Sequence, residues 1–138
     1  MPRLNGPEIA ELMKTAFPQA KADRFQIELV EDGIVRFRYV AGHDDLRPGD
    51  TVSGPTLMAL SDVGMYFLVL SAVGPLVLAV TTSLNINFLR KPSLGALHVE
   101  GKLLKLGKRL AVGEVSVFTA GVSGPVSHAT VTYSIPRA

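Results

Sequence analysis

Hydrophobic and polar residues follow two periods along this chain, and the switches between them mark out its elements. Ile9, Leu12, Met13 and Phe17 share one face at helical spacing, which predicts a short amphipathic helix over Pro7–Phe17 closed by Pro18. Phe25–Val30 and Ile34–Val40 flank Glu31-Asp32-Gly33, a hairpin signal. Residues 41–52, with Gly42, Pro48 and Gly49, read as a polar loop. From Gly54 or Pro55 to about Val73 the pattern is apolar nearly all round. Ser53 or Gly54 can cap this helix, and Pro55 at its start loses only an N–H that had no partner. A helix that is apolar on every side must be enclosed on most of them. Four strands follow. Val77–Leu89 alternates at Leu84, Ile86 and Phe88, and then come Ala96–Leu106, Leu110–Thr119 and Val126–Ile135. Gly107-Lys108 and the Gly-Val-Ser-Gly-Pro of 121–125 are the turns between them.

The order helix, two strands, long helix, four strands predicts an α+β fold in which a six-stranded antiparallel sheet curls around the long helix. At 138 residues and 47% hydrophobic content, one domain over 1–138 can bury a core of its own. Edge strands and leftover apolar positions predict self-association. The uncharged run from Val63 to Leu89 approaches the roughly 20 residues of a membrane-spanning helix. Gly74-Pro75 interrupts it, Asp62 borders it, and period two takes over after Pro75, so it reads as a buried helix followed by a strand, with no membrane span. Met-Pro-Arg-Leu-Asn-Gly-Pro-Glu contains no apolar signal-peptide core. The chain has no cysteine, which removes disulfides, thiol nucleophiles and Cys-based metal sites and fits a reducing, cytoplasmic setting.

Charge narrows the chemistry. Asp62 is the only charged residue between Asp50 and Arg90. A carboxylate alone in an apolar helix is costly unless it is paired or does chemistry. Net charge is +2, yet Arg90, Lys91, Lys102, Lys105, Lys108 and Arg109 stand against Glu100 alone over 90–109. Such a stretch reads either as a site for an anionic partner or as strand edges blunted by lysine. His43, His98 and His128 lack ligand spacing, so no metal is expected. Ser53 and Ser123 lack a Gly-x-Ser-x-Gly context, and there is no glycine-rich phosphate motif. Few aromatics interleave with the basic stretch, which argues against nucleic acid. Nothing calls for a cofactor.

The ordered set of motifs resembles the hotdog-fold acyl-CoA thioesterases, in particular the PaaI-like branch (phenylacetyl-CoA thioesterase type). That branch carries an Asn, a His-Gly-Gly and a Leu-x-Asp in succession. Here Arg47 stands in the Asn place, Ser53-Gly54-Pro55 in the His-Gly-Gly place, and Leu60-Ser61-Asp62 closes the set. Phe88-Leu89-Arg90-Lys91-Pro92 is similar to the family's Phe/Tyr-Leu-Arg-Pro segment, and Leu106-Gly107-Lys108-Arg109-Leu110 to its Gly-Arg/Lys hairpin. The resemblance covers roughly residues 30–135. It implies a hotdog fold, assembly as a dimer or a dimer of dimers, and two acyl-CoA sites per dimer.

By this resemblance Gly54, Asp62 and Thr81 are the catalytic positions. Gly54 at a helix N-terminus offers an N–H, with the helix dipole behind it, to a thioester carbonyl becoming an oxyanion. Asp62 acts as general base on water or as nucleophile. Thr81 orients the water or the carboxylate. Gly54 and Asp62 lie eight residues apart, roughly 12 Å along the helix. One carbon cannot touch both unless a second, antiparallel helix faces the first across a two-fold. Arg90, Lys91, Lys108 and Arg109 are candidates for the coenzyme A phosphates, and Arg47 and Ser53 for further substrate contacts. Met58, Leu60, Met65, Tyr66 and Phe67 offer an apolar or aromatic pocket for the acyl group. Arg47 in the Asn place could instead pair with Asp62 and suppress its basicity, which leaves a non-catalytic acyl-CoA or ligand-binding protein as the alternative. A hotdog dehydratase would need a histidine near the central helix, and none lies there.

Overall fold

In a computed structural model, residues 2–16, 22–49, 51–75, 78–92 and 94–136 are described, and the side chains of Ala16 and Ala22 are left aside. Helix α1 spans Gly6–Ala16, β1 Phe25–Glu31, β2 Ile34–Val40, β3 Leu46–Arg47, β4 Thr51–Val52 and α2 Gly54–Val73. Strands β5 (Val80–Phe88), β6 (Ala96–Leu106), β7 (Leu110–Thr119) and β8 (Ser127–Ser134) complete the chain. The expected loop over 41–52 contains a 3-10 turn at His43–Asp45 and the small β3–β4 ribbon. Phe17, Pro18 and Val77, which figured in the sequence reading, lie outside the described residues.

Six antiparallel strands form one sheet in the order β1-β2-β6-β7-β8-β5. The inward face alternates strictly: Val35, Phe37 and Tyr39 on β2, Leu97 and Val99 on β6, Val115 and Val117 on β7, and Ala129, Val131 and Tyr133 on β8 are all buried. Around α2, this is the hotdog arrangement that the resemblance implied. Helix α2 is buried at Leu57, Leu60, Ser61 and throughout Gly64–Ser71. Its length and composition would suffice to cross a membrane, but here it is the core helix of a sheet. Close seating requires Gly64, where a Cβ would lie 3.0 Å from a Val115 methyl. The helix stops at Gly74, whose φ of 97° is one that L side chains rarely adopt.

Helix α1 is opened by a reciprocal cap: the Asn5 side chain accepts from Glu8 N–H (2.9 Å), and Glu8 Oε1 accepts from Asn5 N–H (3.0 Å). It buries Ile9 and Met13 in the core, and the backbone N–H of Arg3 ties it to Ser71 at the end of α2. The strand β5 is paired on one side only, with β8, and closes the sheet as an edge.

Candidate active site

The start of α2 is built by the loop before it. Ser53 has extended backbone and its hydroxyl accepts from Thr56 N–H (3.3 Å), so it is the N-cap. Thr56 donates its own hydroxyl to Asp45 Oδ1 (2.9 Å). Asp45 is buried, and its Oδ2 accepts from Tyr39 Oη (2.8 Å), Gly42 N–H (2.9 Å) and Arg24 Nη1 (3.2 Å). The Asp45 carbonyl also takes the Ser53 N–H at 2.7 Å. A buried carboxylate with this many donors is compensated, and it locks the loop to the helix end. Burial raises the Tyr39 phenol above its ordinary value, so Tyr39 stays a donor.

Gly54, in the first turn, keeps a backbone N–H that has no partner among the described residues. It borders a groove of about 640 Å³ shared with Arg47, Phe88, Leu89, Arg90 and Lys91. A Cβ at Gly54 would sit 3.4 Å from the Phe88 ring, so a larger side chain would intrude on the groove. Arg90 Nη1 donates to the Pro125 carbonyl at 2.7 Å, and the guanidinium lies over Gly124. The 121–125 turn therefore aims Arg90. Ser53 does not join this groove: it lines a different cavity together with Asp45, and its hydroxyl is occupied in capping.

Asp62, two turns further along α2, is half-buried and faces another cavity of about 290 Å³, walled by Met13, Val63, Tyr66, Ala79, Val80, Thr81 and Tyr133. Thr81 Oγ1 donates to Asp62 Oδ1. Tyr133 Oη donates to the same Oδ1 (3.0 Å) and lies 3.1 Å from the Asp62 main-chain carbonyl. Thr81 and Tyr133 are register partners on β5 and β8, so one sheet position presents both hydroxyls to the helix. Burial, chiefly, pushes the Tyr133 phenol far up, and it remains neutral and able to donate. The rings of Tyr66 and Tyr133 lie 6.2 Å apart and form one wall.

The carried-over residues thus fall into two groups within one chain. Gly54, Arg47, Arg90 and Lys91 meet at one end of β5, beside Phe88. Asp62 and Thr81 meet at the other end. Lys108 and Arg109, on the β6–β7 hairpin, stand near that second end, because Leu110 is in register with Ser134 and Ser134 with Val80. Arg47 and Asp62 line separate cavities, so no ion pair between them forms within the chain. Of the apolar candidates on α2, only Tyr66 lines the Asp62 cavity. Met65 and Phe67 are buried core, Leu60 lines the cavity beside Asp45, and Met58 is exposed.

Sequence reasoning missed Tyr133, Met13 and Asp45. Tyr133 carried a usable signal: a tyrosine at an inward strand position needs a partner for its hydroxyl. The partners of Asp45 come from three separate segments and left no pattern in the chain.

The thioesterase superfamily model matches residues 49–126. The chain belongs to the thioesterase superfamily. A crystal structure of a candidate thioesterase from Silicibacter sp. TM1040 is 39% identical, with a TM-score of 0.88 over 99% of this chain and 95% of that one. A phenylacetic acid degradation-related thioesterase candidate from Ralstonia eutropha JMP134 is 24% identical, with a TM-score of 0.76 over 90% of this chain and 98% of that one. A hypothetical thioesterase from Streptococcus pneumoniae, solved with coenzyme A, is 24% identical, with a TM-score of 0.75 over 90% and 96%. These two lower-identity structures share the fold, and the PaaI-like proteins stand among this thioesterase's structural neighbours. Family and relatives together support thioester hydrolysis as the general activity.

Proposed function

We propose that the protein hydrolyses acyl-CoA thioesters at a site shared between two chains. The observation that carries this is the separation of an N–H donor in a basic groove from a carboxylate in an apolar cavity, at opposite ends of one edge strand that is paired on a single side. Antiparallel pairing of β5 with its copy lays the Phe88 end of one chain against the Val80 end of the other. Gly54 of one protomer then approaches Asp62 of its partner, and Arg90 and Lys91 approach the partner's Lys108 and Arg109. Four cations are thereby collected where coenzyme A carries its phosphates. The coenzyme A held by the Streptococcus relative supports the same class of ligand.

In the reaction, Gly54 N–H and the helix dipole stabilise charge growing on the carbonyl oxygen. Asp62, as general base, takes a proton from water while the water oxygen bonds to the carbonyl carbon. The C–S bond breaks, and the proton passes to the departing thiolate, leaving a carboxylic acid and coenzyme A. As nucleophile, Asp62 would bond to the same carbon as the C–S bond breaks and coenzyme A leaves as thiolate. Water would then open the anhydride, releasing the carboxylic acid, restoring the Asp62 carboxylate and supplying the thiolate's proton. Thr81 holds the carboxylate, and the cavity walled by Met13, Tyr66 and Tyr133 takes the acyl group.

Release of coenzyme A from short, medium, long and aryl acyl-CoAs tests this reading. Asp62→Asn should lower kcat at least about a hundredfold while coenzyme A still binds. Mixing Asp62→Asn with Gly54→Val protomers, each inactive alone, should restore about a quarter of the sites, because each mixed dimer of a two-fold assembly rebuilds one intact site. Binding without turnover on any substrate would leave the non-catalytic alternative standing.

A further inference from the structure

We infer that Tyr133 is a positioning residue that, together with Thr81, immobilises one oxygen of the Asp62 carboxylate and reserves the other for the reaction. The inference rests on the hydrolytic reading above and adds to it a residue outside the 49–126 segment matched by the family model. Both hydroxyls converge on Oδ1. Among the described residues, Oδ2 accepts no hydrogen bond, while the residue itself faces the cavity. A carboxylate on a helix turns freely about its last torsion, a broad and nearly two-fold well. Two donors on the same oxygen remove that freedom and leave one defined oxygen to meet water or the thioester carbon.

The geometry suits this duty. Tyr133 is 3% exposed, so packing fixes its ring and the position of its hydroxyl. The single Tyr133 proton is shared between Asp62 Oδ1 and the Asp62 main-chain carbonyl, at 3.0 and 3.1 Å, a three-centre arrangement in which both acceptors belong to the same residue. Because Thr81 and Tyr133 are cross-strand partners, a shift of either strand would disturb both donors together. A preorganised carboxylate needs no reorganisation as the reaction proceeds, and supports of this kind are worth about ten- to a hundredfold in activity when removed.

Steady-state hydrolysis by wild type, Asp62→Asn, Thr81→Val and Tyr133→Phe tests this, alongside crystal structures of wild type and Tyr133→Phe. Loss of the Tyr133 hydroxyl should lower kcat about ten- to a hundredfold with KM unchanged, and Thr81→Val should show the same kcat-only pattern. In the Tyr133→Phe crystals the Asp62 carboxylate should be rotated or present in two orientations. An unchanged kcat, a raised KM with kcat intact, or a carboxylate held as in wild type would each overturn the inference. Equal rates for wild type and Asp62→Asn would instead sink the hydrolytic reading, and the carboxylate orientation would still decide the role of Tyr133.

Discussion

Under the proposed acyl-CoA hydrolysis, Arg47 is expected to act on affinity. It lines the groove beside Gly54, where a guanidinium can meet a phosphate or a pantetheine amide without approaching the carboxylate of its own chain. Arg47→Ala should therefore raise KM for acyl-CoA about five- to tenfold and leave kcat nearly unchanged, since an exposed cation gives uniform binding rather than transition-state binding. Repeating the measurement at several salt concentrations should show a steeper salt dependence for wild type. A fall in kcat with KM intact would place Arg47 in the reaction instead. The sequence already singled out Asp62, Gly54 and Thr81, because an isolated carboxylate, a helix start and a motif order are local properties. Tyr133 was obscured because its meaning depends on the register between β5 and β8.

At the scale of elements, the Asp45 network is the hinge between loop and helix. It joins the residues after β2 to the first turn of α2 and gathers Arg24, Tyr39 and Thr56 around one buried carboxylate. Asn at position 45 keeps one acceptor oxygen but places an amide among donors and removes the charge opposite Arg24. Asp45→Asn should cost about 2–4 kcal/mol, seen as a drop of about 10 °C in melting temperature. The catalytic rate of the protein that remains folded should fall too, because the Gly54 N–H is aimed by the same network. Unchanged stability would show that the loop is held by its backbone alone. The sequence marked helix α2 correctly to within a residue because Ser-Gly-Pro and Gly74 are local signals. It read 41–52 as plain loop because the β3–β4 ribbon is too short to show a period.

For the whole molecule, burial of the tyrosine hydroxyls predicts a loss of stability at alkaline pH. Burial is the main cause that raises Tyr39, Tyr66 and Tyr133, and these are all the tyrosines in the chain. In the unfolded chain tyrosines lose their protons near pH 10. Above that pH the folded state holds more protons than the unfolded state, so stability falls as pH rises, and below it these groups contribute no slope. Phenolate absorbance should consequently rise together with loss of circular dichroism above about pH 10, rather than as an earlier titration of native protein. A separate phenolate step in folded protein would contradict the burial of these hydroxyls.

Read alone, the chain determined its longer elements, its enclosed central helix and the identity of the isolated carboxylate, since periodicity, caps and turns act over a few residues. Only the tertiary structure decided which groups share a cavity. It set Gly54 with Arg47, Arg90 and Lys91, put Lys108 and Arg109 at the other end of β5, and bound Asp62 to Tyr133 across 71 positions of sequence. Those relations depend on strand register and on how the sheet wraps the helix, and long-range pairing of that kind leaves no imprint in any local window of sequence.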